Sequence, residues 1–328
     1  MASRGRFAVP TIFLVIIFSF SINSIITRYL VSGNLVGPFP LTIIRFVSGF
    51  VTLQLMITGF SGRFKKTKAR ARDLAGALFL GLYAFAISFG YFFIPAGAGA
   101  LVFYGMVVIT MSSYSVARDG EKLTLRLLIG IVLGFLGIVI LTFGGIGAIS
   151  VQGVALMALT GASWGLYSVH GRKSDSSFGY TYNSFLLFGI VGSVLALASA
   201  SLTGTQQWTG ISIPSLALVL YMGMISTALS YVVWNSVLRR VTASLGGLVQ
   251  LLVPVLTALM GVFFLSEGIS LALVVGGVLI LSGIYVNGSR GAQPKSAGNL
   301  VAVALVSQNA SEALEDEGSQ TVEKRREI

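Results

Sequence analysis

The sequence predicts an all-α membrane protein: ten transmembrane helices built as two inverted five-helix repeats, with both termini in the cytoplasm. Three observations predict it. The 328-residue chain is 55% hydrophobic and only 10% charged, whereas soluble domains carry about 25% charge. Its Lys and Arg residues concentrate in every second loop between apolar stretches. The second half also repeats the pattern of the first.

A spanning helix needs roughly 20 mostly apolar residues. Such stretches occur at 9–31, 38–60, 73–95, 97–117 and 124–144, then at 151–171, 180–203, 213–238, 242–265 and 270–288. The first follows Arg4 and Arg6 as a signal peptide would, but continues without a small-residue cleavage pattern and reads as an uncleaved span. Basic residues mark alternate loops: Arg63, Lys65, Lys66, Lys68, Arg70 and Arg72; Arg118, Lys122 and Arg126; Arg172 and Lys173; Arg239 and Arg240; Arg290 and Lys295. The loops near 33–38, 95–96, 145–151 and 203–214 carry no charge. This alternation places both termini on the cytoplasmic side of a bacterial-type inner membrane. The net charge of +11 thus records orientation, and no nucleic-acid partner is expected. Without cysteine there are no disulfides, thiolate metal sites or Cys nucleophiles. Neither a cofactor nor a metal is expected.

The expected organisation is a cytoplasmic N-terminus at 1–8, a first repeat at 9–144, a second, inverted repeat at 145–288 and a cytoplasmic tail at 289–328. The tail holds an acidic stretch (Glu312–Gly318) and a basic one (Glu323–Glu327), and reads as a disordered extension. A shift of 146 residues aligns Glu121 with Glu267, Gly130 with Gly276 and Gly137 with Gly283. A shift of 144 aligns Ser24 with Ser168 and Arg28 with Arg172, and one of 142 aligns Gly81 with Gly223 and Ser88 with Ser230. Each half has an odd number of spans, so the second enters the membrane upside down. Inverted repeats recur in secondary transporters, whose sites lie at the repeat interface near the midplane.

The segment ASLGGLVQLLVPVLTALMGVFFLSEGISLALVVGGVLILSGIYV (Ala243–Val286) resembles the signature of EamA-type members of the drug/metabolite transporter superfamily. Ser19–Leu30 and Ser163–Arg172 look like the paired first-helix motifs, and Arg45 stands where the family commonly has an arginine. The resemblance covers about 9–288. One departure is Val108, which stands in the first half where Pro254 stands in the second. Aromatic spacing and the basic loop after span two look like the YddG-type exporters of aromatic amino acids. The resemblance implies a central cavity lined by spans one to four and six to nine, with five and ten behind.

Polar groups persisting in hydrocarbon usually face a cavity or a partner helix. Asn23, Tyr83, Tyr104, Trp164, Tyr167, Tyr231 and Gln250 are the substrate-binding candidates, with interhelical hydrogen bonding the alternative for each. Trp164 lies mid-span, away from the interfacial belts where Trp collects, and Tyr167 follows it on the same helix face. Pro254 frees the carbonyl of Gln250, so backbone and side chain there are both available to a ligand. Arg45 either draws a substrate carboxylate or is structural, snorkelling or capping carbonyls; Arg28 reads as structural. His170, the only histidine, is a candidate proton or gate residue, equally read as a polar end residue. Gly90, Pro95, Gly97, Gly99 and Pro254 are the candidate hinges, while the glycines of spans five and ten read as close-packing surfaces.

These residues point to export of a small amphipathic metabolite, aromatic and other amino acids favoured, by alternating access. Proton coupling and facilitated diffusion both stay open. The expected partners are a small-molecule substrate and the bilayer, with the chain a monomer or a dimer. Export of cationic drugs is the alternative substrate class. An intramembrane lipid-modifying enzyme would need clustered acids or metal ligands, and no such motif occurs. A sensor or scaffold would be expected to bring a soluble domain.

Overall fold

The computed structural model describes residues 4–59, 67–120, 124–143, 150–203, 208, 210–239, 241 and 243–288. The tail at 289–328, Glu121 and Lys122, and the basic residues Arg63, Lys65, Lys66 and Arg240 lie outside the described residues. The chain divides into two units. The larger spans Ile17–Gly291 and holds every side-chain contact described below; the smaller contributes residues 4–16, the opening turns of the first helix.

Among the described residues all regular structure is helical: α1 (Arg4–Ser32), α2 (Pro38–Gly59), α3 (Ala71–Phe93), α4 (Ala96–Asp119), α5 (Leu125–Phe143), α6 (Val151–Arg172), α7 (Ser177–Thr203) and α8 (Ile213–Tyr221). A π-helical segment (Met222–Leu229) then leads into α9 (Ser230–Leu238), followed by α10 (Ala243–Val249), α11 (Leu252–Leu265) and α12 (Leu271–Gly288). Among the described residues, six stretches are long and apolar enough to cross a membrane: Ile12–Ser32, Pro38–Gly59, Ala71–Phe93, Ala96–Asp119, Ser177–Leu195 and Ile213–Leu238. Leu128–Ile140, Leu252–Leu265 and Leu271–Gly283 are shorter apolar helices. In lipid every backbone polar group must find an internal partner, which is why such a sequence folds as helices joined by short turns.

Helix ends follow local chemistry. Asp73, in the first turn of α3, accepts from the Arg70 backbone N–H at 3.0 Å, and Ser150 and Ser212 accept from the N–H groups of Gly153 and Ser215. α4 ends on Gly120 in the left-handed conformation (φ 74°). α11 ends on Ser266, a non-glycine residue at φ 53°, a conformation costing about 1 kcal/mol or more.

The glycines predicted to pack closely do so. A Cβ on Gly137 would lie 2.6 Å from the carbonyl oxygen of Gly276, and one on Gly283 would lie 2.6 Å from that of Gly130. α5 and α12 therefore touch backbone to backbone. α6 packs on α3 and α4, α4 on α10 and α11, and α2 on the π segment.

Two expected spans are irregular. The stretch 242–265 breaks at Gln250 and Leu251 into α10 and α11, as a proline at position 254 requires. The stretch 213–238 carries the π segment, closed by Ser230 N–H reaching back to Ile225 O. Gly223 permits this packing: a Cβ there would lie 2.3 Å from the carbonyl oxygen of Arg45.

Candidate functional site

Five helices converge on a small cavity. Phe20, Asn23 and Ser24 from α1, Tyr83 and Ile87 from α3, Phe103 and Tyr104 from α4, Trp164 from α6 and Tyr231 from α9 line it. Its walls are closed so tightly that not even a water molecule fits between them, whereas common ligand pockets hold roughly 300–1,000 Å³. A ligand the size of an aromatic amino acid therefore enters only if the walls part. The larger opening, along α3, α6 and α7, is an open apolar groove without polar chemistry to recognise a ligand.

The wall is aromatic. The Trp164 ring centroid lies 4.6 Å from Tyr231, 5.2 Å from Tyr83 and 5.5 Å from Phe20, the last edge-on. Its indole N–H donates to Gln250 Oε1 at 2.8 Å, satisfying a donor that would otherwise be buried unpaired. Asn23 Oδ1, on the same wall, is buried and has no hydrogen-bond partner among the described residues.

Behind Tyr83 and Tyr231 stands Arg45, with no exposed surface at all. Its Nε donates to Thr227 Oγ1 at 2.7 Å, and Nη2 donates to the hydroxyls of Tyr83 and Tyr231 at 3.1 and 3.0 Å. Tyr231 in turn donates to Tyr83 at 2.8 Å. The Tyr83 oxygen thus accepts two hydrogen bonds, and its own proton meets no acceptor among the described residues. Nη1 of Arg45 is buried without a partner. Arg45 neither snorkels nor caps a carbonyl; its hydrogen bonds join α2 to α3, the π segment and α9. A guanidinium is charged at any working pH, and a buried charge is costly unless paired. No carboxylate stands among its contacts with the described residues.

Of the seven substrate-binding candidates, Asn23, Tyr83, Tyr104, Trp164 and Tyr231 line the cavity. Tyr167 instead stacks on Trp164 at 5.5 Å, its hydroxyl accepting from Asn235. Gln250 stands behind Trp164, and its Nε2 donates to Gly246 O at 3.1 Å. The carbonyl freed by Pro254 accepts from Val253 N–H at 3.0 Å, which uses one of its two lone pairs. His170 sets Nδ1 against Leu166 O at 2.8 Å, with its ring between Phe79 and Tyr114. Pro95 sits in the two-residue turn between α3 and α4, whereas Gly90, Gly97 and Gly99 lie inside helices against Met157, Ala258 and Tyr91.

Two polar knots close the bundle at opposite ends of the cavity. Five residues beyond Asn23, Arg28 pairs with Glu267 at 3.1 Å and donates to Tyr91 O at 2.6 Å and Phe92 O at 3.3 Å, carbonyls in the last turn of α3. Glu267 also accepts from Ala96 N–H, the first of α4, at 2.8 Å, where the helix dipole favours an anion. At the other end, eight residues beyond Trp164, Arg172 pairs with Asp119 at 2.9 Å and donates to Val241 O at 2.9 Å. Asp119 closes α4, an unfavourable helix end for an acid, and Lys173 adds a second cation at 2.7 Å. The Asp119 carboxylate, by hydrogen bonding, holds the Lys173 ammonium above its ordinary pKa. The repeat pattern had aligned Glu121, outside the described residues, with Glu267; the acid seen on Arg172 is Asp119.

Sequence reasoning missed Phe20, Phe103 and Ile87, which look like any other apolar residue of a span. It also missed Thr227, whose role depends on the π segment. Only Gly223, aligned with Gly81, hinted at close packing there.

Comparison with known proteins agrees with this architecture. Residues 151–289 match the EamA-like transporter family. An uncharacterised protein of Pseudomonas aeruginosa is 32% identical over 81% of this chain and 89% of its own length. An uncharacterised transporter of Clostridium kluyveri is 26% identical over 82% and 89%. A probable amino-acid metabolite efflux pump of Salmonella typhimurium is 27% identical over 63% of this chain and 72% of its own. One solved structure, at 20% identity, superposes with a TM-score of 0.61 over 86% of this chain and 98% of that one, a likeness of fold. The chain is an integral membrane protein belonging to the EamA-like transporter family, within the drug/metabolite transporter superfamily.

Proposed function

We propose that the protein exports small amphipathic metabolites, aromatic amino acids above all, through the Asn23–Tyr83–Trp164–Tyr231 cavity by alternating access. The observation that carries this reading is the buried Arg45, whose side-chain hydrogen bonds all go to hydroxyls. A carboxylate arriving at Tyr83 would meet a donor backed by a guanidinium about 3 Å behind it. The unpartnered Asn23 Oδ1 on the same wall would accept from an ammonium group. The rings of Phe20, Tyr83, Trp164 and Tyr231 would then receive an aromatic side chain. A cationic drug fits less well, because the buried charge is of its own sign. The name carried by the Salmonella relative points the same way.

Ten spans in two inverted five-helix halves, both termini in the cytoplasm of a bacterial-type inner membrane, make up the proposed topology. The alternation of basic loops supports it, and the family match over residues 151–289 covers the second of the two proposed halves. Purified protein in liposomes tests the function. Phenylalanine or tryptophan loaded inside should leave faster than from protein-free vesicles, and unlabelled aromatic amino acid should compete. Flux of a cationic dye without flux of any amino acid would overturn the reading.

A further inference from the structure

We propose that the two arginine-centred knots are ionic latches on the two mouths of the cavity, and that transport breaks one while the other holds. The inference rests on the alternating-access reading above, and adds which bonds do the alternating.

Its ground is an exchange between the two halves. Arg28 on α1 takes carbonyls from the end of α3, in its own half, and an acid from the turn before α12, in the other half. Arg172 on α6 takes a carbonyl just beyond α9, in its own half, and an acid from the end of α4, in the other. Under the repeat, α1 corresponds to α6 and α3 to the α8–α9 stretch, while the turn after α4 corresponds to the turn after α11. The two knots are thus one arrangement built twice, upside down. Each is a tie between halves at one end of the cavity, so breaking it frees the halves to part at that end only.

The partners suit a latch better than a permanent clamp. All four principal side chains keep some water contact, 14–23% of their surface, so the separated charges can be rehydrated, unlike a fully buried pair. Only one acid stands on each arginine, and each arginine keeps a carbonyl of its own half when that acid leaves. Arg28 and Arg172 would therefore remain held during the opening.

The absence of native cysteine gives a clean test. Ser24→Cys places a single thiol on the cavity wall, and a membrane-impermeant thiol reagent is applied to right-side-out and inside-out vesicles. Adding Glu267→Gln should raise labelling roughly five- to tenfold from the Arg28 side, periplasmic in the proposed topology, and lower it from the other. Adding Asp119→Asn should do the reverse. Should Glu267→Gln fail to fold, Arg28→Lys, which keeps the charge but loses the forked contact, replaces it with the same expected sign. Equal change on both sides, or none, overturns the proposal, because loss of a merely structural pair would not choose a side. Flux separates the two readings. Opposite polarity without amino acid flux would sink the substrate reading alone, and intact flux without polarity would sink the latches alone.

Discussion

At the scale of single residues, Arg45 and Trp164 set stability against function. Arg45 is a buried cation without a counter-charge, and such groups cost stability. Arg45→Met should therefore raise the unfolding temperature of the purified protein while cutting amino acid flux at least about tenfold; a lower unfolding temperature would show the guanidinium to be structural instead. Trp164 makes the opposite case. Trp164→Phe strands Gln250 Oε1 in a dry site, a loss of about 1–3 kcal/mol, and a second change, Gln250→Leu, should recover most of it. Thermal unfolding of the single and double variants measures both. Mid-span position was enough to mark Trp164, Tyr83 and Asn23 in the sequence. Which of them share a wall was not, because helices apolar on every side carry no periodicity that gives their rotation. That is also why Tyr167 and Gln250 were grouped with residues they stand behind.

Among the elements, the α5–α12 contact leaves no room for side chains. Gly283→Ala should destabilise by about 1–3 kcal/mol, since the added methyl meets the Gly130 carbonyl. Gly189→Ala, inside α7 with nothing within 4 Å, should instead gain about 0.5–1 kcal/mol. A matching response of both variants in a thermal melt would contradict the packing. Ser266→Gly should add about 1 kcal/mol by relieving the left-handed backbone that precedes Glu267. The glycine faces and the break near Pro254 were legible from residue type, because Gly and Pro act through local geometry. The π segment was not: no residue type demands it, and it exists where tertiary packing of α2 against Gly223 brings Thr227 to Arg45.

For the molecule as a whole, sidedness is the testable quantity. A single cysteine in place of the exposed Lys68 should label only from the cytoplasm, and one in place of Leu35 only from outside. The family and the helical class were readable along the whole chain, because spans, loop charges and repeat offsets are properties of the sequence itself. Contacts between the halves were not, and the Arg28–Glu267 pair shows what that distance means during synthesis. The two residues are 239 positions apart, whereas Asp119 and Arg172 are separated by 53. At about 5–20 residues per second, Asp119 would wait only seconds for its arginine. Arg28 would wait roughly 10–50 s for its acid, already in the membrane, with the carbonyls of Tyr91 and Phe92, 63 and 64 residues on, as its interim partners. A nascent chain stalled before Glu267 would therefore have one end of the bundle tied and the other still open, a form that quality-control proteases should distinguish from the finished protein.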